Sequence, residues 1–170
     1  MSLVRFSAKN HPQQVSKRGR DDSIDDRRTP AVLWAAIDAE FRFTLDAAAS
    51  SENAKCAAYF TAEEDGLAHP WSGHRVWCNP PYSSIGPWVE KAWQEMRTGC
   101  ELVVMLLPAN RTEQRWWQEH VEPYRDTAAL SVRFLAGRIR FDRPGWEKPA
   151  KGDRPPFGLC LLIWRQAHAA

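Results

Sequence analysis

Arg75-Val76-Trp77-Cys78-Asn79-Pro80-Pro81-Tyr82 is the stretch that decides how this chain folds. Three apolar residues in extended order predict a short buried strand, and the strand ends abruptly in Asn-Pro-Pro-aromatic. Each proline fixes its own φ and restricts the residue before it, so the loop after the strand is rigid. Neither proline has an N–H, and the loop therefore offers carbonyl acceptors. The Asn79 side-chain oxygen adds another acceptor, and Tyr82 adds a ring face. Together they make a socket for a planar group that carries an amine, because two acceptors can take both N–H bonds while the ring stacks. The exocyclic amine of a nucleobase meets that description.

Outward from this loop, strand and helix patterns alternate. Thr29-Pro30 opens a helix, with Thr as N-cap and Pro at the first helical position, and Val32, Leu33, Ala36, Ile37 and Phe41 give it an apolar face. Strands are expected at 43–46, 57–60 and 75–78. A helix at 85–98 opens with Ser83-Ser84 and breaks near Gly99. The apolar run 102–107 is the pattern of a strand buried on both faces. A helix at 111–120, strands at 129–134 and 138–141, and a final strand at 159–164 complete the order. This order predicts a mainly parallel α/β sheet with an antiparallel edge. The stretch from Asp46 to Asn79 is too short for two full β-α units, so this region must be trimmed. Residues 1–27 are polar and aperiodic, which predicts a mobile tail; a basic arm touching DNA is the alternative. Residues 28–170 form the single expected domain.

Composition excludes several classes. The net charge is +2, which gives no bulk attraction to nucleic acid, but Arg111, Arg115, Arg125, Arg133, Arg138, Arg140 and Arg143 crowd the second half. They form either a phosphate-contacting face or a solvated charged surface. The nine tryptophans suit core packing, with base stacking as the alternative for some. Cys56, Cys78, Cys100 and Cys160 contain no C-x-x-C pair, and the histidines show no ligand spacing, so no metal is expected. The chain has no apolar leader and no run long enough to span a bilayer, so a cytoplasmic protein is expected.

The quoted residues also carry a resemblance. Phe43-Thr44-Leu45-Asp46-Ala47-Ala48-Ala49-Ser50, Glu64-Asp65-Gly66-Leu67, Trp77 through Tyr82, Trp88-Val89-Glu90-Lys91-Ala92 and Gly137-Arg138-Ile139-Arg140-Phe141 resemble, in this order, the phage-type DNA N6-adenine methyltransferase family (Dam-like). The resemblance covers most of the chain, from about Thr29 to Ile163. It implies a Rossmann-like S-adenosylmethionine-dependent methyltransferase fold, S-adenosylmethionine as cofactor and double-stranded DNA as partner. The tetrapeptide alone is shared with methyltransferases of protein glutamine and of rRNA, and those remain alternative readings. A non-catalytic nucleic-acid-binding module is another.

In an open α/β sheet, ligands sit at the carboxyl ends of strands. Asp46 and Asn79 both fall at expected strand ends, so a cofactor site and a base pocket share one rim. The resemblance implies that Asn79, Pro80, Pro81 and Tyr82 hold the target adenine, flipped out of the duplex. It implies that Asp46 meets the methionyl amine of the cofactor, with Ala47 and its small neighbours allowing close approach. Asp46 as a helix N-terminal acid is the alternative. Thr29 and Pro30 would face the cofactor carboxylate, or simply start a helix. Asp65 would meet the cofactor's adenine or ribose, or simply be a turn acid. Arg138, Arg140 and Phe141 would border the target base, or serve as strand residues. The long loop 142–157, with Trp146, Lys148, Lys151 and Arg154, is the candidate for DNA contact.

Overall fold

The computed structural model describes residues 28–141 and 156–166. The expected tail at 1–27, and the expected DNA contacts Trp146, Lys148, Lys151 and Arg154, lie outside the described residues. Within them the elements are α1 (Ala31–Phe41), β1 (Leu45–Asp46), β2 (Ala58–Tyr59), β3 (Arg75–Cys78), α2 (Gly86–Arg97), β4 (Leu102–Pro108), α3 (Arg115–His120), β5 (Leu130–Phe134) and β6 (Leu159–Arg165). The strands form one six-stranded sheet in the order β2-β1-β3-β4-β6-β5. The β2-β1-β3-β4 pairings are parallel. Antiparallel pairing is confined to the other side, where β6 pairs with both β4 and the outermost β5.

Side-chain alternation explains the layers. Trp77 lies opposite Val104, which lies opposite Ile163; Val76 lies opposite Val103, which lies opposite Trp164. Neighbouring residues of a strand point to opposite faces, so Trp77 and Trp164 mark the two sides of the sheet. Trp34 of α1 meets Trp77 edge-on at 5.3 Å, while Trp93 of α2 meets Trp164 at 6.1 Å. One helix therefore covers one face, and α2 with α3 covers the other. β4 lies between β3 and β6 and is buried along its whole length, as its unbroken apolar sequence requires.

Local details depart from the sequence reading. Pro30, not Thr29, is the N-cap of α1, and no side chain caps the helix. Val32 is 85% exposed, Ala36 is also exposed, and only Ile37 and Phe41 of the expected apolar face are buried. Ser83 and Ser84 do not cap α2, whose N-cap is Ile85. The helix expected at 111–120 begins at Arg115. Residues 138–141 form no strand. The chain turns away after β5, at Gly137 with φ 76°, and the outer edge of β5 takes no partner strand among the described residues.

The expected trimming is visible. No helix covers the crossovers from β1 to β2 or from β2 to β3. The fully buried Trp71 fills part of that space, stacked 6.4 Å from Trp88 of α2. Its backbone N–H donates to Glu95 Oε2 at 2.6 Å, and its indole N–H donates to the Gly66 carbonyl at 2.9 Å. Lys91 Nζ completes the buried cluster, 2.7 Å from Glu95 Oε1. Glu95 is 4% exposed. The charges are thus paired and hydrogen-bonded, the condition under which burial is tolerated. Among the described residues, no helix is long and apolar enough to cross a membrane.

Candidate active site

β2 and β3 lie on opposite sides of β1 in the sheet. The loops that leave such neighbouring strands part from each other and leave a crevice at their carboxyl ends. A cleft of about 430 Å³ occurs there, within the usual size of small-molecule sites. Ala47, Ala48, Ala49, Ser50 and Asn53 line it from the loop after β1, and Thr61, Ala62, Asp65 and Gly66 from the segment after β2. Asn79 and Pro81 come from the loop after β3, and Trp88 from α2.

A smaller hollow of about 20 Å³ lies alongside, lined by Arg28, Thr29, Asp46, Lys55 and Trp77 together with Ala48, Asn53 and Asn79. Asn79 is therefore in the walls of both spaces. Asp46 is 2% exposed. Its carboxylate accepts the backbone N–H groups of Ala48 at 3.3 Å and Lys55 at 3.0 Å. Burial pushes its pKa up from 3.8 to about 6, and these two donors oppose the rise. A carboxylate held this dry gains from an arriving cation. The ammonium of an amino-acid-like ligand fits that demand.

A close contact between two backbone segments shapes the rest of the cleft. No Gly-x-Gly follows β1, yet the backbone is still closely approached: a Cβ at Gly66 would collide with the Ala47 carbonyl and lie 3.3 Å from the Trp88 ring. Glycine at 66 is needed because its own backbone lies against the Ala47 carbonyl. Asp65 sits beside it with φ 56°, its carboxylate accepting the Leu67 N–H at 3.1 Å.

The tetrapeptide is held from several sides. The Pro81 carbonyl accepts the Ser84 N–H at 3.1 Å, and the Tyr82 carbonyl accepts Arg111 Nη1 at 2.7 Å. Tyr82 is 5% exposed. Its ring meets Phe141 and Phe157 edge-on, each at 6.3 Å. Pro80 is buried, and neither it nor Pro30 lines the cleft or the hollow.

Of the residues the sequence pointed to, Ala47, Asp65, Asn79 and Pro81 meet in the cleft, and Thr29 and Asp46 meet in the hollow. Phe141 packs on Tyr82, while Arg138 is exposed and Arg140 half-buried, and neither lines the cleft. The sequence did not single out Arg28, Asn53, Lys55 and Trp88 as site residues. Trp88 lay within a quoted motif, but nothing in its spacing distinguished a cleft wall from core. Among the described residues, three of the seven arginines of the expected basic face are paired with carboxylates. Arg115 pairs with Glu119, Arg125 with Glu122 and Asp126, and Arg133 with Glu40. Burial also pushes the thiols of Cys56 and Cys160 up to about 12, which leaves negligible thiolate at neutral pH. Among the described residues, no group of three or more His, Cys, Asp or Glu could hold a metal ion.

Known proteins share these sequence features. A family model described as DNA N-6-adenine-methyltransferase (Dam) matches residues 16–169. A "DNA N-6-adenine-methyltransferase" of Escherichia phage T1 is 36% identical over 93 residues, which is 54% of this chain and 38% of that protein. A "Putative methyltransferase YfdM" of Escherichia coli (strain K12) is 42% identical over 71 residues, 38% of this chain and 74% of that protein. A "DNA N-6-adenine-methyltransferase" of Haemophilus phage HP1 is 38% identical over 66 residues, 39% of this chain and 38% of that protein. The match thus covers 38% of the length of either phage protein.

Proposed function

We propose, from the premise that this chain belongs to the DNA N-6-adenine-methyltransferase (Dam) family, that it methylates N6 of an adenine flipped out of duplex DNA, with S-adenosylmethionine as donor. The observation that carries this reading is the position of Asn79, which lines both the cleft and the hollow containing Asp46. One side chain thereby borders both the cleft proposed for the cofactor's body and the hollow proposed for its charged end, where the base amine would have to meet the methyl group. The bound cofactor supplies a methyl group made electrophilic by its sulfonium.

The chain's own residues do the rest. Asp46 holds the methionyl ammonium, and Thr29 lies beside the same hollow for the carboxylate. Ala47 lines the cleft with a side chain small enough for a ligand to lie against, and Asp65, in the same lining, would meet adenine or ribose. The adenine amine is a weak nucleophile because its lone pair is delocalised into the ring. Hydrogen bonds from the amine to the Asn79 oxygen and the Pro80 carbonyl favour a tetrahedral nitrogen and localise that pair. Holding the amine in place supplies much of the acceleration. Tyr82 backs the base with its ring, and because Phe141 and Phe157 crowd it, stacking requires one of them to move. Arg138, Arg140 and the segment with Trp146, Lys148, Lys151 and Arg154 are the proposed DNA contacts. A DNA substrate would place the protein in the cytoplasm.

Asn79→Ala tests the centre of this reading. Turnover on plasmid DNA should fall about a hundredfold, the scale of losing one preorganised polar contact, with cofactor affinity unchanged. The product is identified by mass spectrometry of digested DNA. Parental activity in Asn79→Ala would sink the mechanism. N4-methylcytosine would keep the mechanism and overturn the substrate, and methylated RNA or protein glutamine without methylated DNA would overturn the DNA reading.

A further inference from the structure

Arg111 links the turn after β4 to the loop after β3, whose Asn79 and Pro81 line the cleft. β4 ends at Pro108, and the turn after it is fixed by the Ala109 N–H donating to the Gly158 carbonyl at 2.9 Å. The Arg111 carbonyl accepts the Gln114 N–H at 3.2 Å, which ties its backbone to the start of α3. From this anchored point the half-buried side chain crosses to the loop after β3 and donates to the Tyr82 carbonyl at 2.7 Å. That is the short distance of a charge-assisted bond.

Arg115, Arg125 and Arg133 each sit against a carboxylate, whereas Arg111 has no carboxylate at ion-pair distance among the described residues. A guanidinium carries five N–H donors in a fixed fork, and among the described residues the Tyr82 carbonyl engages one of them. A partly desolvated cation with donors to spare is a receptor for an oxyanion. The oxyanion that duplex DNA brings to the rim of a base pocket is its backbone phosphate.

We propose that Arg111 is a positioning residue that ties the DNA backbone to the catalytic loop. One N–H fixes the Tyr82 carbonyl, and the remaining fork receives the phosphate beside the flipped adenine. DNA is then registered against Asn79 through a single side chain. The inference rests on the DNA-methyltransferase reading above.

Two variants separate charge from shape. Arg111→Gln keeps an N–H donor for the Tyr82 carbonyl and removes the charge. Arg111→Lys keeps the charge but cannot serve both partners as a fork. Duplex binding is measured against sodium chloride concentration, with and without a target adenine. In Arg111→Gln, the slope of log affinity on log salt should shrink by about 0.9, the value of one phosphate contact. Its affinity should drop equally for target and non-target duplexes. Arg111→Lys should keep the parental slope yet turn over about tenfold more slowly, the scale of one lost charged hydrogen bond. Cofactor affinity should be parental in both. A parental slope in Arg111→Gln, or a slope in Arg111→Lys reduced as much as in Arg111→Gln, overturns the proposal while N6-methylation by the parent still stands. A parent that forms no N6-methyladenine overturns the function and this inference together.

Discussion

Replacing Asp46 with asparagine perturbs the balance between burial and charge beneath the cleft. The carboxyl is 2% exposed, and burial raises its pKa from 3.8 to about 6. At about 1.4 kcal/mol per pKa unit, that difference corresponds to about 3 kcal/mol of folding free energy. The direction follows from proton binding. The folded protein holds this proton more tightly than the unfolded chain does. The associated stability is fully present below the unfolded value near 3.8 and is lost as pH rises through about 6. The asparagine side chain carries no charge at either extreme, so the variant lacks this loss. Urea unfolding of both cofactor-free proteins at pH 4 and pH 8 measures it. The parent's stability relative to Asp46→Asn should fall by most of about 3 kcal/mol across that interval. Other titrating groups cancel in the difference. The offset at pH 4 reports the exchange of an acceptor for an amide donor opposite the Ala48 and Lys55 N–H groups. A difference that does not change between pH 4 and pH 8 would refute the reasoning, because the carboxylate would then be as well solvated as a surface acid.

The same group should govern ligand binding. S-adenosylmethionine affinity, by calorimetry, should rise with pH up to about 6 by about tenfold per pH unit and level off above it, since an ammonium partner favours the charged carboxylate. Gly66→Ala should abolish the thermal shift that cofactor produces in the parent, because the added methyl meets the fixed Ala47 carbonyl rather than a flexible side chain. Tyr82→Phe should leave turnover within about threefold, since the ring contacts with Phe141 and Phe157 persist. Tyr82→Ala should cost about 3 kcal/mol of stability by emptying a buried aromatic site and should weaken DNA binding in a gel-shift assay.

The central strands were legible because they are buried on both faces. Runs such as Leu102 to Leu107 carry no alternation to misread. β1 and β2, at two residues each, are visible chiefly through their downstream neighbours, the small residues at 47–50 and the turn at Asp65-Gly66. The segment 138–141 has strand-like residues, but the chain leaves the sheet at Gly137 after β5, and no local pattern reveals that turn away from an available edge. Ion pairing escaped for a similar reason. Glu40 neutralises Arg133 across a large sequence separation, with bonds of 2.6 and 2.7 Å, so a cluster of arginines in sequence is not a cationic face in space. The tetrapeptide announced itself because its conformational restriction is local. The site's other half could not, because Gly66 matters only through its approach to Ala47.

Phe141 and Phe157 lie on either side of a long stretch of chain, and both rings rest on Tyr82 at 6.3 Å. Holding two positions of a chain at one ring constrains those positions and not the length between them: for a flexible chain each doubling of that length adds only about 0.6 kcal/mol of closure entropy. Insertions, deletions or wholesale exchange between the two phenylalanines would therefore leave the acceptors at Asn79 and Pro80 where they are.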